Sequence, residues 1–165
     1  MVPTHGLVTH GVLSGRGPVY SLTGNLVSVL ARHEGTGGAY GLIEAIVPPG
    51  VGAPMHTHSR EDEAFYVIEG ELEFDIDGTR ATGASGAFLH MPRDRPHGYV
   101  NCTNVPARVI CVFTPGGCEG FFEEAGEPVG DVAQAVATPR PADPQKLTSI
   151  AARYGMSIIG GLPVS

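Results

Sequence analysis

The sequence predicts an all-β protein, an antiparallel sandwich or jelly roll with short helices only near its C-terminal end. Two observations carry this expectation. Apolar runs of strand length recur at short spacing between Gly- and Pro-rich turns. Helix start and stop signals, in contrast, are confined to the region after residue 116. The chain has 165 residues, 24 of them Gly and 14 Pro, which suits many tight turns. That length reads as one domain, with a core region at about 42–114, strands within 1–40 and a helical extension over 117–165. With no Trp, the core rests on Phe, Tyr and aliphatic side chains.

In chain order, residues 1–38 hold short apolar pieces such as "NLVSVLA" (Asn25 to Ala31), read as one or two strands with loops. "HEGTGGAYG" is a turn-rich connection, and "LIEAIV" (Leu42 to Val47) is a strand stopped by Pro48-Pro49-Gly50. In "ELEFDID" (Glu71 to Asp77), Leu72, Phe74 and Ile76 alternate with acidic residues, the period-two pattern of a half-buried strand. Gly70 before it and Asp77-Gly78 after it mark tight turns. "GAFLHMP" (Gly86 to Pro92) and "ARVICVF" (Ala107 to Phe113) supply further strands. "GCEGFFEEAG" reads as a short helix closed by Gly126. "DPQKLTSIAARYG" reads as a helix with Asp143 as N-cap, Pro144 in its first turn and Gly155 past its end. The "EPVGDVAQAVATPRPAD" segment between them reads as a Pro-rich surface connection.

The chemistry concentrates in "GVGAPMHTHSREDEAFYVIEGE", residues 50 to 71. On an extended chain, positions i and i+2 share a face, so His56 and His58 project together. Glu63 lies at odd spacing from them, and a bend in "SRED" would return its carboxylate to the same point. Spacing alone does not separate it from Glu61 and Asp62, which read as solvated, but its place at the head of "AFYVI" favours it. His97, after the turn-like "PRDRP", is a fourth candidate. Three imidazoles and a carboxylate suit Fe, Mn, Ni, Co, Cu or Zn, and would leave positions open on a five- or six-coordinate ion.

The spacing resembles the two motifs of the cupin superfamily. Gly50, His56, His58, Glu63 and Gly70 fit the first motif. Gly86, Pro92, His97 and Asn101 fit the second, with Asp94 standing where the family has a Gly. Asp also tolerates the left-handed conformation such a turn needs, so the departure leaves the fold expectation intact. The resemblance implies a double-stranded β-helix (jelly roll) that binds one divalent transition metal per chain through His56, His58, Glu63 and His97. Outside the motifs, "TPGGCEGFFEEAG" and "YGM" are similar to the C-terminal part of quercetin-dioxygenase-like cupins. That likeness implies a metal-dependent dioxygenase, with an enol- or phenol-bearing small molecule and O₂ as substrates and Glu63 as catalytic base. A non-oxidative cupin (isomerase or polyketide cyclase) and a metal-dependent binding module are the alternatives.

Other residues weigh less. Tyr40, Glu44, Phe65, Phe74, Phe88, His90, Tyr99 and Phe113 are candidates for a pocket wall. Of these, Phe65, Phe74, Phe88 and Phe113 read as core, and His90 as a hydrogen-bonded histidine that binds no metal. His5, His10 and His33 receive no role. A formal charge of −7 with scattered Lys and Arg argues against nucleic acid. No apolar run approaches membrane-spanning length, and the N-terminal "MVPTHGLVTHG" does not read as a secretory signal. Cys102, Cys111 and Cys118 form no C-x-x-C pair and read as free thiols in a reducing, cytoplasmic setting. Open sheet edges lead to the expectation of a homodimer in which residues before about 40 cover a partner's sheet.

Overall fold

The computed structural model describes residues 18–138 and 143–163. Twelve strands are present among the described residues: β1 (Val19–Leu22), β2 (Asn25–Ala31), β3 (Gly41–Val47), β4 (Gly52–His58), β5 (Asp62–Glu69), β6 (Glu71–Ile76), β7 (Thr79–Ala84), β8 (Phe88–Met91), β9 (His97–Val100), β10 (Ala107–Thr114), β11 (Glu127–Val129) and β12 (Met156–Ile158). Three short helices, α1 (Glu119–Ala125), α2 (Val132–Ala137) and α3 (Pro144–Arg153), all follow β10. Seven strands form one sheet in the order β11-β1-β2-β3-β10-β5-β8, and five form a second in the order β12-β4-β9-β6-β7. Every pairing is antiparallel.

Alternation along each strand decides what lies between the sheets. Ile43, Ala45 and Val47 of β3, Leu72 and Phe74 of β6, and Val109, Cys111 and Phe113 of β10 are buried. Without Trp, the aromatic centre is a triangle of Phe65, Phe74 and Tyr99, with ring centroids 5.2 to 5.8 Å apart. Phe88 departs from the core expectation. It sits on the edge strand β8 with 68% of its surface exposed, because its register opposite Tyr66 turns it to the outer face.

The predicted turns form. Asp77 and Gly78 both take positive φ (54° and 79°), as a two-residue hairpin requires, so β6 ends one residue earlier than its alternation suggests. Asp94 takes φ 62°, so it does occupy the left-handed position where the motif has Gly. Asp143 caps α3 by accepting from the Gln145 and Lys146 amides, with Pro144 opening the helix. The segment after α1 corrects an expectation. Read as a Pro-rich surface connection with no element of its own, it contains β11, paired with β1, and α2, capped by Asp131. Residues 139–142, His5 and His10 lie outside the described residues. No described helix is long and apolar enough to cross a membrane.

Asn101, fully buried, holds the end of β9 to its surroundings. Its amide nitrogen donates to the Val47 and Val105 carbonyls, both at 2.8 Å, and its oxygen accepts from the amide and hydroxyl of Thr103. Asn101→Ala leaves the Val47 carbonyl without this donor and the Thr103 amide without its acceptor, while the Val105 carbonyl keeps the Thr103 hydroxyl, and we expect a loss of about 1–3 kcal/mol in urea unfolding, the cost of leaving a buried polar group unpaired. A midpoint unchanged from wild type would remove this assignment.

Candidate metal centre

Two adjacent strands of the five-stranded sheet supply three imidazoles. His56 and His58 share the inner face of β4, and the β4–β9 register sets His97 opposite His56. Ring centroids are 4.4 Å apart for His56–His97, 5.0 Å for His56–His58 and 5.5 Å for His58–His97. Glu63 comes from the facing sheet, on β5, and reaches across the interior. Its odd spacing from the histidines follows from this: residues 59–61 carry the chain from one sheet to the other, so parity does not carry through.

The four groups converge. Glu63 Oε2 lies 2.8 Å from His97 Nε2, 3.5 Å from His58 Nε2 and 3.8 Å from His56 Nε2. One ligand atom from each of the four lies within 4.8 Å of the others, and all four residues are buried. The structure thus brings together all four residues singled out in the sequence.

The reverse side of each group is also held. His56 Nδ1 donates to the Pro54 carbonyl and His97 Nδ1 to the Arg95 carbonyl, each at 2.8 Å. Those bonds fix the tautomer and leave both Nε2 lone pairs pointing at Glu63. Cys111 Sγ donates to Glu63 Oε1 at 3.0 Å, so Oε2 is the oxygen left for the centre. His58 Nδ1 lies 3.7 Å from both Cys118 Sγ and Glu61 Oε2.

Glu61 corrects the sequence reading. It is 3% exposed, not solvated, because the crossing between sheets turns it inward behind His58. Nothing in the local pattern distinguishes it, since Glu61, Asp62 and Glu63 form an unbroken acidic run. Asp62 stays near the surface and pairs with Arg93.

Electrostatics follow from crowding these groups in a dry interior. Burial, then the neighbouring His97, lowers the His56 pKa to about 3, so this imidazole stays neutral. Burial also opposes charge on His58, but Cys118 and the carboxylates of Glu61 and Glu63 outweigh it and push its pKa up to about 12. Burial opposes ionisation of Glu63 too, yet His58 and His97 hold its pKa well below the usual carboxylate range. Burial keeps the Cys118 thiol protonated, with its pKa pushed up to about 11.

His58 Nε2 is buried with no hydrogen-bond partner. A buried polar atom in that condition is costly, and a cation at the point where the Nε2 atoms meet would satisfy it. Three imidazoles, once His58 gives up its proton, and one carboxylate are a donor set that accepts a first-row divalent ion, so the residues fit a metal. His33, Glu34 and Glu119 form a second cluster, but its two outer members are exposed. Glu119 accepts from the backbone amides of His33 and Gly117, both at 2.7 Å, which makes it a latch between loops.

A cavity of about 60 Å³ opens beside His56, His58 and Glu63, several times the ~10–15 Å³ that one water needs. Val27, Ile43, Phe65, Phe122, Leu147 and Ile158 contribute to its apolar wall. Of the wall candidates in the sequence, Phe65 and Tyr99 line it. Phe74 and Phe113 are core, Tyr40 is 42% exposed, and Glu44 pairs with Arg108 on the outer face. The His90 side chain is exposed on the edge strand β8, with no side-chain hydrogen bond among the described residues, so it is not the held histidine expected. The sequence reading missed the contribution of α1, α3 and β12, whose residues wall the cavity from outside the motif region.

Comparison with known proteins agrees with this architecture. Residues 43–113 match the cupin domain family. The chain is 30% identical to quercetin 2,3-dioxygenase of Bacillus subtilis over 115 residues, 70% of this chain and 34% of that one. It is 35% identical to polyketide synthase CurC of Streptomyces cyaneus over 80 residues, 48% of this chain and 51% of the other. The matched region therefore spans between about a third and a half of these two relatives. Among solved structures, KdgF from Halomonas sp. superposes with a TM-score of 0.60 at 19% identity, covering 68% of this chain and 97% of KdgF. With two antiparallel sheets, both motifs in place and these likenesses, the chain belongs to the cupin superfamily.

Proposed function

We propose that the protein is a metal-dependent dioxygenase acting on an enol- or phenol-bearing small molecule. The observation that carries the reading is the convergence of three imidazole Nε2 atoms on Glu63 Oε2 at the edge of an apolar cavity. His56, His58, His97 and Glu63 would hold one divalent transition ion. Such an ion supplies Lewis acidity, lowering the pKa of a bound hydroxyl and positioning it for reaction with O₂.

The chain's own residues do the rest. The Pro54 and Arg95 carbonyls keep His56 and His97 as neutral donors with fixed orientation. Glu63 would release the centre transiently and take the substrate hydroxyl proton on Oε2, while Oε1 stays anchored to Cys111. Apolar walls keep bulk water from the reacting end. The similarity to quercetin 2,3-dioxygenase supports the oxidative reading, and that to CurC favours a second, non-oxidative one. The cytoplasmic setting and the homodimer expected from the sequence belong to the same proposal; the three thiols, all free, support the former.

The test is an oxygen electrode with the metal-loaded protein and a panel of flavonols and smaller enols and phenols. O₂ consumption in proportion to substrate is the expected result. Product formed under anaerobic conditions would establish the non-oxidative reading, and tight binding with neither outcome would establish a binding module.

A further inference from the structure

Apart from His56, His58 and Glu63, the polar side chains lining the cavity are Thr23, Asn25 and Tyr99, and no Lys or Arg lines it. Asn25 is 5% and Tyr99 8% exposed. Tyr99 projects from the same face of β9 as His97, two residues, or about 7 Å, further along the strand.

The hydrogen bonds of this trio are lopsided. Both Asn25 Nδ2 protons are spent within the protein, on the Gly52 carbonyl at 2.9 Å and on Thr23 Oγ1 at 3.1 Å. The Thr23 hydroxyl donates to the Leu22 carbonyl at 2.7 Å. The Tyr99 hydroxyl donates to Asn25 Oδ1 at 3.3 Å. With every donor engaged, the capacity that remains is acceptor lone pairs, chiefly on the Tyr99 oxygen.

The backbone gives an independent sign. Thr23 sits at φ 53° in the turn between β1 and β2, followed by Gly24 at φ 92°. Asn or Gly fills that position without strain, whereas a β-branched residue is an outlier there. What Thr supplies and Gly cannot is the hydroxyl that fixes the Asn25 amide. Strain of this kind concentrates where a side chain has work to do.

We propose that Tyr99, oriented by Asn25 and Thr23, is a second recognition point in the cavity that accepts a hydrogen bond from a hydroxyl on the substrate. By taking the Tyr99 proton, Asn25 turns the lone pairs of the phenol oxygen toward the ligand. The substrate class is then a compact, uncharged molecule with a metal-binding enol or phenol at one end and a donor hydroxyl at the other. The absence of a cationic side chain from the wall argues against organic acids and phosphates. The inference rests on the dioxygenase-type site proposed above for the enol end alone.

The test uses three hydroxypyranones that share one chelating head: kojic acid, which carries a distal hydroxymethyl; its methyl ether at that hydroxymethyl; and allomaltol, with methyl there. Each is titrated by absorbance into the full chain loaded with one divalent metal, with metal content measured on the same samples. Kojic acid should bind about five- to tenfold more tightly than either analogue, the worth of one neutral hydrogen bond. Tyr99→Phe, which keeps the ring packed on Phe65 and Phe74, should bring the three affinities together. Equal affinities in the wild type, or a kojic acid preference that persists in Tyr99→Phe, would overturn the proposal. If the chain takes up no metal, the centre is misread, and calorimetry on the metal-free chain still decides the second point by the same preference. Should Tyr99→Phe fail to fold, the wild-type comparison with the methyl ether carries the decision.

Discussion

His58→Ala and His97→Ala should each reduce bound metal to a small fraction of one ion per chain, and the double variant His56→Ala, His58→Ala should retain none. Each removes one of the atoms within 4.8 Å of one another, and a four-ligand chelate loses most of its affinity with any single ligand. Elemental analysis of protein purified without chelators, before and after one equivalent of Co(II), Ni(II), Mn(II), Fe(II) or Zn(II), is the measurement. Full occupancy in the double variant would sink the assignment. Loading also has a pH direction. The raised pKa of His58 means that the metal-free centre holds a proton on that ring, which an ion must displace. Uptake therefore strengthens as pH rises and weakens as it falls, with about one proton released per ion.

Glu63→Gln separates chemistry from binding. The three imidazoles remain, together with a neutral oxygen in place of the carboxylate, so metal content falls modestly. Under the dioxygenase reading proposed above, turnover should fall by about 10²-fold or more, because the amide cannot accept the substrate proton. In the histidine variants, by contrast, activity and metal are lost together. Oxygen uptake and metal content measured on the same preparations give the ratio. Equal loss of both in Glu63→Gln would reduce Glu63 to a ligand and leave the proton to another group.

What the sequence revealed and what it hid divide along a physical line. The ligand set was legible because the cupin-like spacing names it, and because His56 and His58 obey strand parity within β4. Asp94 at φ 62° was legible because left-handed turns select a few residue types. Glu61 was not, since its burial depends on where the chain crosses between sheets. Phe88 was misplaced for a related reason: on an edge strand, apolar character alone does not say which face is inward. β7, with its "TRATGA" sequence, has no apolar alternation and exists because the Asp77–Gly78 turn folds it back onto β6. The α1, α3 and β12 wall of the cavity depends on long-range packing that no local pattern records.

The pairing of β12 with β4 has a consequence for how the protein is made. Met156 lies opposite His58 and Ile158 opposite His56, so the strand that flanks the two histidines is supplied about a hundred residues after them. A ribosome delivers β4 early and β12 late. Until residue 158 has left the exit tunnel, the edge of β4 is unpaired and the histidines lack their flank. An ion that arrives in that interval meets a half-built cage from which it can leave again. Durable loading is thus expected only after synthesis, from the metal pool that the finished chain encounters.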